Sequence, residues 1–485
     1  MPFDDGTGSP AACIPRRITE ILSGGIGIMN HAPPQPCVLF FARGYQAEFF
    51  PTLIHPAYNA VFVTLTADER RRVESAGGVV AACFEEQFNQ LPVVVPDKGY
   101  LATALPADRF LGRFDHRSRS EILGKEISFW RGLLERFRPV AVVNELVAIE
   151  ISEVLLIEAR RAGVRYLAGM NCVVDDYFYW LEDPLTLSGR CLFLPEPTLE
   201  QRQIAAAYVE QALGRNYLPF YVKNLAGRRA LRPFVAAIAK FIVWVCLIVA
   251  DRLRRRFRYE NYLPEYHKRI EVFVKSLFLK YDDLESIPSD AEVIFYPLHQ
   301  EPEATLNYMS TFYSNQAATI ENILKCMTPK QVLVVKEHPV DKGSLLRGKF
   351  RSIRRENSSL FYLPAEISGR QVLARASRVV TLTSTVGWEA TVIGKTVYVL
   401  GQIFFDHFER VIRIQSFDQL RELLRAAPVV DGGSKSAHID FVARMVAGCH
   451  RGNPFPHDGL YGELNRRRIS DAIRAGAGIE QPNDR

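Results

Sequence analysis

The sequence predicts an α/β protein with two Rossmann-like βαβ domains in tandem. Two observations predict this. Short apolar runs of strand length alternate with segments whose apolar residues recur at helical spacing. The alternation breaks at residues 225–290 and then resumes. Strands separated by helices imply parallel pairing, because the crossover helix returns the chain to the same end of the sheet.

In chain order, PCVLFFA (36–42) and AVFVTLT (60–66) are expected as buried strands. Residues 120–138 carry Ile122, Leu123, Ile127, Trp130, Leu133, Leu134 and Phe137 on one helical face. PVAVVN (139–144) is the next strand, 149–163 a helix closed by Gly163, and VRYLAGM (164–170) a strand. After the break come a strand at 291–298, a helix at 314–327, and strands at 330–338 and 358–364. A helix at 367–377, a strand at 378–384, a helix at 385–394, a strand at 395–401 and a helix at 416–427 complete the pattern. The expected division is an N-terminal domain over 1–224, a linker over 225–288, a C-terminal domain over 289–430 and a tail over 431–485.

Composition narrows the class. The 485 residues are 48% hydrophobic and 24% charged, which suits a globular chain with sizeable cores. A net charge of +6 is mild for this length and does not call for nucleic acid. The eight cysteines are scattered with no C-x-x-C pair, so reduced thiols in a cytosolic protein are expected. The N-terminus shows no basic region followed by an apolar one, and no signal peptide is expected. GGIG (24–27) lacks the G-x-G-x-x-G spacing of a dinucleotide loop. No D-x-D triplet and no His/Cys cluster argues for a metal.

Residues 234–250 are apolar except for Lys240. Spanning a bilayer takes about 20 apolar residues, with roughly 17 as the lower limit. The flanks are basic: Arg228, Arg229 and Arg232 before, DRLRRRFR (251–258) after. Each basic side chain near an anionic leaflet adds about 1 kcal/mol. The segment is expected to dock on an anionic membrane surface through 228–258; a buried interdomain helix and a true span are the other two readings.

In an open parallel sheet, ligands sit outside the carboxyl ends of the strands, so the residues after each strand carry the chemistry. RVVTLTSTVGWEA (378–390) runs from a strand into Thr383, Ser384 and Thr385 at an expected helix start, where hydroxyls and free N–H groups suit an anion. Gly387 is expected to let a ligand approach the backbone. Glu389 lies four residues past Thr385, off the three-residue spacing of a capping box. Either it is an offset, dipole-matching acid, or it accepts hydrogen bonds from ribose hydroxyls. In KEHP (336–339), Lys336 and His338 share a face of the strand end, with Lys336 supplying charge and His338 a donor or acceptor. A loop histidine that caps a carbonyl is the plain alternative.

The order and spacing of these motifs resemble the capsule polysaccharide biosynthesis family, which includes bacterial Kdo (3-deoxy-manno-octulosonate) transferases. The matching stretches are HQEPEATL (299–306), KEHP, TSTVGWEATVIGKTVYVLG (383–401) and, more weakly, FFD (404–406). The resemblance covers about residues 290–410, the first half matching only as a general αβ domain, and implies a GT-B glycosyltransferase, two Rossmann-like domains facing a central cleft. It implies that His338 contacts the donor nucleotide, typically CMP, that Thr383, Ser384 and Thr385 hold its phosphate, and that Glu389 sits near the nucleoside. Lys336 joins that donor set. The Thr-Ser-Thr cluster departs from the family pattern. No cofactor is expected beyond a nucleotide-sugar co-substrate.

The glycan or glycolipid acceptor is expected against the first domain, near Arg43 and Asn144-Glu145. A transfer that needs a general base would use a carboxylate. Glu145 is the expected base, with Glu303 (or Glu301) as a second catalytic carboxylate; the alternatives are that Glu145 starts a helix and that Glu303 suits a helix dipole. The whole implies a cytoplasmic glycosyltransferase, peripheral on the inner membrane, that moves a CMP-linked acidic sugar such as Kdo to a surface polysaccharide or its lipid primer. A nucleotide-sugar epimerase of similar build and a non-catalytic glycan-binding protein are the competing classes.

Overall fold

Near-continuous apolar strands need cover on both faces, and the chain supplies it with crossover helices. The computed structural model describes residues 35–97, 100, 108–185, 190–214, 231–278, 280–427 and 434–480, and everything below lies within the unit Pro36–Arg485. GGIG, Arg228 and Arg229 lie outside the described residues.

The first sheet contains β1 (Cys37–Phe41), β2 (Asn59–Thr64), β3 (Val80–Cys83), β4 (Ala141–Asn144), β5 (Arg165–Asn171) and β6 (Tyr177–Trp180), in the order β6-β5-β4-β1-β2-β3. All its neighbours are parallel except β5 and β6. The second sheet contains β7 (Glu292–Pro297), β8 (Gln331–Lys336), β9 (Leu360–Leu363), β10 (Arg378–Thr381), β11 (Thr396–Val399) and β12 (Val411–Arg413). Its order is β12-β11-β10-β7-β8-β9, parallel throughout. Two such sheets make a pair of Rossmann-like domains.

The helix expected at 120–138 spans His116–Phe137. It begins earlier because Asp115 accepts a hydrogen bond from Ser118 N as its N-cap. It stops where Arg138 turns left-handed, at φ 42°. Its apolar face seats Trp130 edge-on against Phe41 of β1, with ring centroids 4.9 Å apart.

Residues 431–485 are expected as a tail, and the described part of them, 434–480, returns to the first domain. Helix Lys435–Ala447 packs on helix Leu199–Leu213. β13 (His450–Arg451) then pairs antiparallel with β6 and becomes the seventh strand of the first sheet. Helix Glu463–Gly476 covers that sheet, where Trp180 Nε1 donates to Ala472 O at 3.2 Å. The return is driven by burial: Phe441, Val442, Met445 and Val446 enter a core that also holds Tyr208, Phe295 and Trp388. Trp388 Nε1 donates to Tyr208 OH at 3.0 Å, so the two domains share both apolar and polar contacts.

The linker is a helical hairpin, Leu231–Leu253 with Leu263–Ser276. Phe234 stacks on Phe273 at 4.1 Å. The expected alternative of a buried interdomain helix is overturned: only 6% of the apolar window within Phe234–Leu253 is buried. That segment is long and apolar enough to cross a membrane by length and composition. Val235, Ile242, Val243, Val249 and Leu253 face outward.

Past the hairpin's first helix, Tyr259 is fully buried beside a group of acids. Asp108 accepts hydrogen bonds from Glu150 N at 2.8 Å and Tyr259 OH at 2.9 Å. Glu126 and Glu150 are wholly buried next to it. Burial, then repulsion from the neighbouring carboxylates, raises both well above the ordinary carboxylate range. Such a group stabilises the fold fully at low pH and loses that contribution as pH rises through its raised folded value. Glu126→Gln is therefore expected to melt higher than the wild type at pH 8 and to flatten the fall in Tm between pH 6 and 9. Thermal melts across that range measure it; parallel curves for the two proteins would contradict it.

Candidate functional site

Where strand order reverses in a parallel sheet, the loops after two neighbouring strands depart in opposite directions and open a crevice. The first sheet reverses between β1 and β4, the second between β7 and β10. A polar contact spans each reversal.

At the first, Arg43 follows β1 and Glu145 follows β4. Arg43 Nη1 donates to Glu145 Oε1 at 2.9 Å, and Nη2 donates to Glu260 Oε1 at 3.2 Å. Arg43 is buried; the burial penalty is more than offset by Glu145, Glu260 and Glu69, which keep it charged. Helix Glu150–Arg161 begins five residues past Glu145, so this carboxylate stands on a loop and not at a helix start. Asn144 is taken up internally: its Nδ2 donates to Tyr166 OH at 2.8 Å and to Ser152 Oγ at 3.3 Å. Around Arg43 and Glu145 lies a cavity of about 730 Å³, walled also by Glu85, Arg109, Glu260 and, from the apolar helix, Trp244 and Leu247. Burial pushes the Glu85 carboxyl up to about 7, although Tyr259 N donates to it at 2.8 Å.

At the second reversal, KEHP leaves β8 as a built loop. Glu337 holds it, accepting from Tyr281 OH at 2.6 Å and from Gly343 N and Leu345 N at 2.9 Å each. Lys336 Nζ donates to two carbonyls, Glu337 O at 3.0 Å and Ala365 O at 3.3 Å. Burial lowers it to about 8, against the pull of nearby carboxylates that include Glu337 and Glu389. Val340 N donates to His338 Nδ1 at 3.3 Å. The proton of the neutral ring therefore sits on Nε2, which becomes a donor. Burial depresses His338 below its usual range and favours this neutral form, though Glu303 pulls the other way.

In the hydroxyl cluster, Ser384 Oγ accepts from Val386 N at 3.2 Å, and Thr381 Oγ1 accepts from Ser384 N at 3.2 Å. Thr385 precedes helix Val386–Val392 but makes no side-chain cap. Thr383 Oγ1 is buried with no hydrogen-bond partner among the described residues. The expectation for Gly387 is corrected. A Cβ there would meet Phe405 Cζ at 2.9 Å, so the space belongs to an aromatic ring and not to a ligand. The close approach occurs instead at Gly401, where a Cβ would meet Ser310 Oγ at 2.4 Å and Leu382 O at 2.9 Å. Glu389 is buried one turn into the helix; burial pushes it up to about 7, opposed by the charges of Arg370 and Lys336.

Glu303 lies after β7, with His299 Nδ1 3.5 Å from its Oε2. Burial would raise it; the facing His299 ring and the imidazole of His338 outweigh that and hold it low, while its Oε2 has no hydrogen-bond partner among the described residues. Glu301 is spoken for, accepting from Gln316 Nε2 at 3.0 Å and Lys349 Nζ at 2.7 Å. The β7/β10 crevice thus gathers Lys336, His338, the 383–385 loop, Glu389 and Glu303, while Glu145 belongs to the β1/β4 cavity. His299, Glu260, Glu85 and Glu337 went unread as site residues. The position of His299 straight after a strand was a signal; Glu260, in the linker, offered none.

Residues 254–408 match the family described as capsule polysaccharide biosynthesis protein. The matched segment starts inside the basic end of the hairpin and includes the whole β7/β10 crevice. Among curated proteins none matches the chain. Among solved structures, the chain overlaps the Thermosulfurimonas dismutans KpsC beta Kdo 2,7 transferase at 12% identity, covering 90% of this chain and 99% of that one, with a TM-score of 0.35. The beta Kdo 2,4 transferase of the same KpsC overlaps at 14% identity over 65% and 82% of the two chains, TM-score 0.30. UDP-GlcNAc 2-epimerase from Methanocaldococcus jannaschii overlaps at 10% identity over 83% and 97%, TM-score 0.28. The fold described above rests on the strand order of this chain and not on those overlaps.

Within the chain, the capsule-family segment meets the first domain through Glu260 and Arg43. Arg43→Met would leave Glu145 and Glu260 without their buried partner. Breaking a buried pair from one side costs about 3 kcal/mol. A lower Tm and a smaller denaturant midpoint are expected for Arg43→Met, with Glu145→Gln milder; equal stability of Arg43→Met and wild type would show that the pair does not hold the cavity.

Proposed function

We propose that the chain is a glycosyltransferase of bacterial surface-polysaccharide synthesis, with a nucleotide-activated sugar at the β7/β10 crevice and the acceptor in the β1/β4 cavity. The observation that carries the reading is the crevice itself. His338 Nε2–H and Thr383 Oγ1 have no hydrogen-bond partner described within the protein and converge with buried Lys336 at the carboxyl edge of a parallel sheet. A ligand with phosphate oxygens satisfies donors of this kind. The donor is a CMP-linked acidic sugar such as Kdo, a choice supported by the family of residues 254–408.

The chemistry follows from the two crevices. An acceptor hydroxyl attacks the anomeric carbon, and the bond from that carbon to the phosphate oxygen breaks. The departing CMP phosphate takes hydrogen bonds from His338 and the 383–385 hydroxyls. Glu145 takes the hydroxyl proton; Arg43 holds its Oε1 and leaves Oε2 for the acceptor. Glu389 faces the nucleoside. No step calls on a metal, because the leaving phosphate has cationic and hydroxyl partners.

The protein works peripherally at the inner face of the membrane. The outward apolar residues of Phe234–Leu253 and the exposed Arg252, Arg254 and Arg255 beside them support docking on an anionic bilayer. Trp244 and Leu247 of the same helix wall the acceptor cavity, which suits a lipid-linked primer.

Two measurements test this reading. CMP is expected to raise Tm more than UDP, GDP or ADP, and His338→Ala to abolish the difference; equal shifts for the four nucleotides would overturn the donor assignment. Arg254→Glu combined with Arg255→Glu leaves the cavity residue Arg256 in place. It is expected to release the protein from vesicles containing anionic phospholipid while binding to neutral vesicles stays weak. Unaltered sedimentation with the anionic vesicles would remove the docking surface.

A further inference from the structure

We propose that His299 is a positioning residue: its ring ties the Glu303 carboxylate, after β7, to the backbone of the hydroxyl loop after β10, and so sets the charge that His338 faces. The proposal rests on the reading of this crevice as the donor site.

His299 is held from every side. Gln316, on helix Gln316–Cys326, clamps its backbone: His299 N donates to Gln316 Oε1 at 2.8 Å, and Gln316 Nε2 donates to His299 O at 3.0 Å. The ring is buried. Thr383 N donates to its Nε2 at 3.3 Å. That hydrogen bond assigns the ring proton to Nδ1, the nitrogen that faces Glu303 Oε2 at 3.5 Å. Glu303 Oε2 is buried with no hydrogen-bond partner among the described residues, and the Nδ1 of His299 is the ring nitrogen turned toward it. The ring bridges the two loops that part at the reversal of strand order, β7 on one side and β10 on the other.

The consequence reaches His338. Its charged neighbours are Glu303, His299, Lys336 and Asp341. Glu303 and Asp341 favour the protonated imidazole; Lys336, and any charge on His299, opposes it. While His299 occupies the Glu303 carboxylate, His338 keeps its neutral form, with Nε2–H free to donate. Without His299 the Glu303 carboxylate still favours a proton on His338 and no longer faces a second ring, and a charged His338 drawn to Glu303 is withdrawn from a ligand.

The test follows the imidazole signals of ligand-free protein through a pH titration by NMR, together with the CMP thermal shift. In His299→Leu the His338 midpoint is expected to rise by about half a pH unit, roughly a threefold change in its protonation constant. The CMP shift is expected to shrink. His299→Asn keeps an amide donor toward Glu303 and is expected to retain the wild-type midpoint. Glu303→Gln is expected to lower it, and serves if the leucine variant fails to fold. A folded His299→Leu with an unmoved His338 midpoint, or a Glu303→Gln variant with an unmoved one, overturns the proposal. If the midpoints move as expected but no nucleotide raises Tm, the donor reading fails while the positioning of Glu303 by His299 stands.

Discussion

The two polar crevices of this protein are organised by the reversal of strand order in its two parallel sheets. At such a point two neighbouring strands end side by side, but their loops run to opposite edges of the sheet. The gap between them leaves backbone groups and side chains without sheet partners. Here the gap after β1 and β4 is bridged by Arg43 and Glu145, and the gap after β7 and β10 by His299 and the Thr383 amide. The two bridges differ in chemistry. The first is an ion pair in a buried setting, where charge must be matched. The second is an imidazole that accepts from a peptide N–H and turns its other nitrogen toward a carboxylate. The crevices inherit that contrast, one rich in carboxylates and arginines, the other in hydroxyls and imidazoles.

The linker does more than join the halves. After the apolar helix, Tyr259 enters the first domain and Glu260 completes the Arg43 pair. The second hairpin helix then reaches the other crevice, where Lys268 Nζ contacts Glu301 O at 2.9 Å and Asp341 Oδ1 at 2.5 Å. Asp341 Oδ2 in turn accepts from Glu301 N at 3.2 Å. One hairpin thus fastens loops at both crevices while its apolar face stays outside. A force applied to that face, by a bilayer or otherwise, has a covalent and hydrogen-bonded route to each.

Much of the fold was legible because its long elements are strongly periodic. The strands at 36–42, 60–66, 291–298 and 378–384 and the helix at 120–138 each appear within a few residues of the expected limits. Elements with little periodicity were missed. β3, β6 and β12, of three or four residues apiece, are among them. Helix Ala67–Ser75 hides behind a charged surface, ADERRRVES, although its Thr66–Glu69 capping box is a local signal. The role of 431–485 was unreadable, because a helix that buries Phe441 and Val446 looks the same in sequence whichever domain it covers.

The sequence by itself determined the class, the parallel pairing and the positions of Lys336, His338, Glu303, Thr383, Ser384, Thr385 and Glu389 at strand ends, since periodicity and punctuation are local properties. Tertiary structure decided which strand ends are neighbours, and therefore which residues share a crevice. It turned Lys336 toward two carbonyls, filled the space at Gly387 with Phe405, gave Glu337 the loop and gave His299 both Glu303 and Thr383. The physical reason is that hydrogen bonding and burial also join residues far apart in the chain, Tyr281 with Glu337, His299 with Thr383 and Arg43 with Glu260, and no pattern within a single segment records the identity of a distant partner.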